Sequence, residues 1–163
     1  MGTEIPQDGY YFRKIKTQKK MKENEVVIER VFNAPVELVW MIWTQPEYIK
    51  MWFGSDPDGT VLSADINLAV GGKYAISFSD SDGSLHTAFG EYLEIIENAK
   101  LHFTFEWKSE PGHISELIVE FIPQEEKTIT ILTHTNLNPN SIHGYIEGWN
   151  GALNKIVKKI IEK

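Results

Sequence analysis

The chain has no cysteine among its 163 residues. Disulfides, thiolate catalysis and cysteine-ligated zinc are therefore excluded. Long apolar runs are missing too. None approaches the roughly 18 residues of a membrane span. The N-terminal "MGTEIPQDGYYFRKIKTQKKMKEN" lacks the apolar core of a secretion signal. These absences read as a soluble, cytoplasmic protein. Positive charge is also scarce: 16 Lys and Arg stand against 23 Asp and Glu, a net charge of −7. It is unevenly placed. Residues 1–22 carry Arg13, Lys14, Lys16, Lys19, Lys20 and Lys22 against Glu4 and Asp8, so this leader is +4 and the rest is −11. A body this acidic repels phosphate backbones, which argues against nucleic acid as a partner.

Motifs of common chemistries are missing as well. There is no P-loop, GxGxxG, HExxH or GxSxG. The five histidines, at 86, 102, 113, 134 and 143, show no metal-ligand spacing. No metal and no cofactor is expected.

What the chain has is aromatic residues, unevenly spread. "LVWMIWTQPEYIKMWFG" (38–54) holds Trp40, Trp43, Tyr48, Trp52 and Phe53. Before it, Val26–Asn33 alternates as a strand. Pro35 suits a first helical turn. Val36, Val39, Trp40 and Trp43 then recur at helical spacing. Thr44 and Glu47 have the spacing of a capping box, which predicts two short helices meeting at Thr44, the second ending near Trp52. Trp40 and Trp43 are expected to pack the first helix onto a sheet.

From Thr60 the period becomes two. Strands are predicted over 60–66, 73–79, 85–96, 100–107, 114–122 and 128–136, divided by turn signals such as "DSDG" at 80–83. In 100–107, Leu101, Phe103, Phe105 and Trp107 share one face. Leu117, Val119 and Phe121 alternate in the same way in 114–122. Short turns between consecutive strands predict an antiparallel meander with one packed face. After "NPNS" (138–141), which supplies a break and an N-cap candidate, Ile142, Tyr145, Ile146, Trp149, Leu153, Ile156, Val157 and Ile160 form one helical stripe. Lys155, Lys158, Lys159 and Lys163 crowd the negative end of the helix dipole. Gly144, Gly148 and Gly151 oppose the stripe. Either another segment approaches that backbone or the helix is pliable there.

These elements predict an α+β fold. A curved antiparallel sheet of about seven strands grips a long C-terminal helix, and two short helices follow the first strand. Residues 1–24 form a basic extension and 25–163 a single domain. One helix cannot fill the concave side of so wide a sheet, which predicts a cavity.

The ordered set "VVIERVFNAPVELVWMIWTQPEYIKMWFG", "VGGKYAISFSDSDG", "GEYLEI", "LHFTFEW", "ILTHTNL" and "HGYIEGWNGALNKIV" resembles the Hsp90-ATPase-activator-homologue-like family. That family belongs to the START-like, helix-grip superfamily typified by the birch pollen allergen. The resemblance covers about 25–161. It implies an internal apolar cavity and binding of a small apolar or amphipathic ligand. It also implies two alternatives: a cyclase or dehydratase acting in the cavity, or a partner of an Hsp90-type chaperone. Monomer and homodimer both remain open.

Phe103, Phe105, Tyr145 and Trp149 are expected to line the cavity. Tyr48, Trp52 and Phe53 follow a helix start or end and are expected to close it. Two residues are candidates for catalysis. By the resemblance, the strand carrying His134 runs beside the helix, so the imidazole points inward, as a hydrogen-bonded structural group or as a functional one. Glu91, if inward, is a buried carboxylate suited to a general base; otherwise it is a paired or rim residue.

Overall fold

Alternation of apolar and polar residues organises the chain from β1 (Val26–Phe32) onward. The computed structural model describes residues 22–162. The first 21 residues of the basic extension lie outside the described residues.

β2 (Thr60–Ile66), β3 (Lys73–Ser79), β4 (Leu85–Ile96), β5 (Lys100–Trp107), β6 (Ser115–Gln124) and β7 (Lys127–Thr135) follow as a meander. The strand order is β1-β7-β6-β5-β4-β3-β2, antiparallel throughout. All seven strands fall where the period-two pattern predicts them, to within two residues at their ends. β6 runs furthest beyond expectation: Pro123 and Gln124 still pair with Thr128 and Lys127. Only Glu125 and Glu126 are left to turn, and Glu125 takes a φ of 60°.

α1 (Val36–Thr44) and α2 (Pro46–Trp52) are the predicted pair of short helices. Their junction is built differently from a capping box. Thr44 closes α1 instead of capping α2, and its hydroxyl donates back to the Trp40 carbonyl at 2.8 Å. Such local back-bonding competes with capping for the same oxygen. Gln45, with extended φ, precedes Pro46 at the first position of α2, where a missing N–H costs nothing.

α3 (Ile142–Ile156) follows a 3₁₀ turn, Pro139–Ser141, and continues as a π turn, Val157–Ile161. Within the predicted 138–141 break, Asn138 caps the 3₁₀ turn: its side chain accepts from the Asn140 N–H at 2.9 Å. α3 lies across the concave face of the sheet. Trp149, Leu153 and Ile156 of its stripe are buried against inward side chains such as Phe103, Phe105 and Leu117. Arg30 of β1 donates to Asn150 and Asn154, fixing the helix to the edge strand.

The glycine face has a specific cause. The loop after α2 crosses it, so a Cβ on Gly151 would lie 2.7 Å from the Ser55 carbonyl oxygen, whereas one on Gly144 would meet nothing within 4 Å. Lys155 extends the same face. It is not a solvated dipole cation but a buried one, and its Nζ donates to the carbonyls of Asp56 (2.9 Å) and Phe53 (3.5 Å). Urea unfolding therefore separates the two glycines. Gly151→Ala is expected to cost about 1–3 kcal/mol by overpacking, and Gly144→Ala to add up to about 1 kcal/mol from helix propensity.

Candidate functional site

β3, β4 and β5 bring their inward side chains beneath α3, but the helix does not reach all of them. The space left over is a cavity of about 410 Å³. Its apolar wall is Phe53, Phe78, Phe105, Trp107, Tyr145, Trp149 and Ala152, and its polar lining is Ser55, Glu110, Asn140 and Ser141. Of these, Ser55, Glu110 and Asn140 are exposed and mark the mouth, together with Gly144. A second void of about 30 Å³ lies deeper, bounded by Trp43, Trp52, Tyr74, Tyr92 and Phe103 among others. Phe53, Phe105 and Trp149 border both spaces.

The expected lining residues thus divide. Phe53, Phe105, Tyr145 and Trp149 meet at the large cavity. Trp52 and Phe103 face only the small void. Tyr48 borders neither. Trp52 is no lid: only 1% of it is exposed, its Nε1 donates to the Ile42 carbonyl at 2.9 Å, and its ring packs edge-on to Trp43 at 4.8 Å. Trp40 anchors α1 to β6 through Phe121, 5.3 Å away and edge-on. Trp43 instead joins the helices to one another, against Trp52 and Trp149. Trp107 and Phe78 were absent from the predicted lining, although Trp107 shares the inward parity of Phe103 and Phe105.

His134 is inward and fully buried, between Tyr145 and Phe105. Its tautomer follows from its neighbours. The Trp149 indole can only donate, and it does so to His134 Nδ1 at 3.1 Å. The imidazole proton therefore sits on Nε2 and is donated to Ser115 Oγ at 2.8 Å. Ser115 passes its own proton to the Phe105 carbonyl at 3.0 Å. Both nitrogens are occupied in a chain that staples α3 to β7, β6 and β5. Burial pushes the imidazole down to about 3, so it stays neutral. This is the hydrogen-bonded structural reading of His134, with no lone pair left to act as a base. Ser115 was not anticipated, although it continues the inward parity of Leu117, Val119 and Phe121.

Glu91 lies on the other face of the sheet. It pairs with Lys73 across β3, in register with Phe89–Ala75, whereas the inward residues of β4 are Ala88, Gly90 and Tyr92. Of the two alternatives for Glu91 the inward one is thus not found, and the cavity has no base there.

Deeper than the polar groups of the mouth, the cavity meets a phenol donor. Trp107 Nε1 donates to Tyr145 Oη at 2.9 Å. The phenol accepts that bond, so its own proton is left for the cavity. Burial raises the Tyr145 pKa and keeps that proton in place. One wall is fixed from behind. Asp56 accepts from the Ser81 N–H (2.8 Å) and hydroxyl (2.7 Å), bonds that hold its carboxyl down to about 2. Together with Lys155, whose pKa burial lowers, Asp56 ties the Phe53–Asp56 wall to the β3–β4 turn and to α3. Among the described residues no group of three or more His, Asp or Glu could hold a metal ion, and no helix is long and apolar enough to cross a membrane.

A family model described as Activator of Hsp90 ATPase homolog 1-like protein (AHSA1) matches residues 33–160. The chain belongs to this family. Solved AHSA1-like folds superpose on it at low identity. A protein from Nitrosomonas europaea is 21% identical with a TM-score of 0.74, over 88% of this chain and 100% of that one. The AHSA1 protein from Silicibacter pomeroyi is 18% identical with a TM-score of 0.75, over 84% and 97%. The AHSA1-like protein from Aeromonas hydrophila, solved by NMR, is 20% identical with a TM-score of 0.68, over 85% and 92%. At such identities the likeness is one of fold. No functionally curated protein matches the chain by sequence.

Two outcomes follow for the AHSA1-like core. Trp52→Ala is expected to lower unfolding stability by about 3–5 kcal/mol, read by urea denaturation. His134 gives a pH signature. Between its ordinary value of 6.5 and about 3, the unfolded chain takes a proton that the folded one refuses. Its contribution is thus fully present above pH about 6.5 and drains as pH falls, at a slope approaching about 1.4 kcal/mol per unit. The difference in slope between wild type and His134→Gln, measured from pH 7 to 4.5, reports it.

Proposed function

We propose that this protein binds a small apolar or amphipathic molecule in the cavity between α3 and the sheet. The observation that carries the reading is the cavity of about 410 Å³ walled by Phe53, Phe78, Phe105, Trp107, Tyr145 and Trp149, with polar groups at its mouth. Its size falls within the roughly 300–1,000 Å³ of small-molecule sites, and such sites are apolar with a few placed polar groups. Transfer of a ligand's apolar surface from water into this space supplies about 25 cal/mol per Å².

Binding is favoured over catalysis because of the polar groups. The cavity offers the Tyr145 hydroxyl as a donor, while both His134 nitrogens are engaged. The family description carries a second reading, contact with an Hsp90-type chaperone. A rise in a purified Hsp90's ATPase rate on adding this protein tests it.

Gentle native mass spectrometry and solvent extraction of the purified protein test the favoured reading, together with titration of an apolar fluorescent dye. A co-purifying small molecule, or saturable dye binding at micromolar concentration, is expected. An empty protein that takes up no dye overturns it. The cavity can also be blocked from its mouth. A side chain at Gly144 meets no atom within 4 Å of its Cβ, so Gly144→Phe is expected to leave the unfolding temperature close to wild type. It is expected to weaken dye binding at least about tenfold, or 1.4 kcal/mol.

A further inference from the structure

The small void behind the main cavity is lined by a residue with an unsatisfied donor. Trp43 is buried, and its Nε1 has no hydrogen-bond partner among the described residues. An indole N–H can only donate, and leaving it unpaired in an apolar place costs roughly 1–3 kcal/mol. The other two indoles at this void are paired, Trp52 with the Ile42 carbonyl and Trp149 with His134 Nδ1, and the Tyr74 proton goes to the Thr104 carbonyl at 2.6 Å. Trp43, which carries this unpaired donor, lines about 30 Å³ of space. That is room for one water molecule or one carbonyl group, and not for a ring.

The void adjoins the main cavity. Phe53, Phe105 and Trp149 form the partition, each ring bordering both spaces. Their side chains turn between rotamer wells. A trapped water would be poorly held, since a buried water needs two to four polar partners and much of the surround is apolar, including Ile49, Ile76 and Leu101. Displacing such a water with a ligand atom that takes the bond gains affinity.

We propose that the two spaces form one binding site and that the ligand carries an uncharged oxygen acceptor, a ketone, ester or amide carbonyl, which accepts a hydrogen bond from Trp43 Nε1. The inference rests on the ligand-binding reading above and deepens it. The apolar body of the ligand fills the outer chamber and the carbonyl enters the inner one. The acceptor is uncharged because none of the residues around the inner chamber is a cation, and an unpaired carboxylate there would bear its full desolvation cost. Lys155, which contacts Phe53 of the shared wall, spends its donors on the Phe53 and Asp56 carbonyls.

Three probes of nearly one shape test this: 2-acetonaphthone, its hydrocarbon counterpart 2-isopropenylnaphthalene, and 2-naphthoate at pH 7. Calorimetric or fluorescence titration of the full chain is expected to rank the ketone about tenfold tighter than the hydrocarbon, the increment of one hydrogen bond to an otherwise unpaired donor. The carboxylate is expected to bind weakest. Trp43→Phe is expected to bring ketone and hydrocarbon to equal affinity. A second readout does not depend on that variant folding. In protein with ¹⁵N-labelled tryptophan, the Trp43 indole N–H resonance is expected to move downfield with the ketone and not with the hydrocarbon. Equal binding of ketone and hydrocarbon by wild type, or tightest binding by the carboxylate, overturns the acceptor site while the ligand-binding reading stands. An indole resonance that responds alike to both neutral probes does the same. Binding of none of the three overturns the reading itself, and the acceptor site with it.

Discussion

A curved seven-stranded sheet has more concave apolar surface than one helix can cover, and this mismatch shapes everything else in the molecule. Burial of that face drives folding, so the chain must supply volume from elsewhere. It supplies aromatic rings from α1, α2 and the loop after them. Trp40 goes to Phe121 of β6. Trp43 and Trp52 go to each other and, through Trp43, to Trp149 of the long helix. Rings are large and stiff, so they fill coarse gaps well and leave angular ones. The cavity and the void behind it are what the rings do not fill.

Polar bonds decide where the covering elements sit. Apolar packing alone would allow α3 to slide along the sheet. The run from Trp149 through His134 and Ser115 to the Phe105 carbonyl pins one point of the helix to three strands. Arg30, from the edge strand, holds its other flank at Asn150 and Asn154. In a low-dielectric interior, these bonds gain strength only because every partner is satisfied. Trp43, whose Nε1 has no partner among the described residues, lines the space left open.

Much of the fold was legible because alternation is a strong signal where one face of a sheet is buried and the other wet. β5 and β6 read cleanly for that reason. β4 did not. Its inward residues, Ala88, Gly90 and Tyr92, are mostly small, while Phe89 and Leu93 are apolar and point outward, with Leu93 39% exposed. Hydrophobicity therefore did not choose the inward face of β4, and the side taken by Glu91 stayed open. The capping spacing at Thr44 and Glu47 was genuine as a pattern, but Thr44 could bond backward as well as forward, and local sequence does not choose between the two. Ring depth was not legible either. Five aromatics in one stretch show that the segment packs, not which ring lies deepest, so Trp52 read as a lid and lies in the core. Lys155 was legible in principle. It falls four residues after Gly151, on the face that the glycines keep open for the loop.

The Lys155 contact bears on how the mouth of the cavity responds to its surroundings. The Phe53–Asp56 lip is held by an ammonium group on backbone carbonyls and by a carboxylate on an N–H and a hydroxyl. These are contacts between an ion and a dipole, and the ammonium is largely shielded from solvent. Mobile salt screens such contacts far less than it screens pairs in open water, such as Lys100 with Glu94. The aperture is thus set by a device largely indifferent to ionic strength, and it keeps its width in media where the surface charges of this acidic protein are muffled.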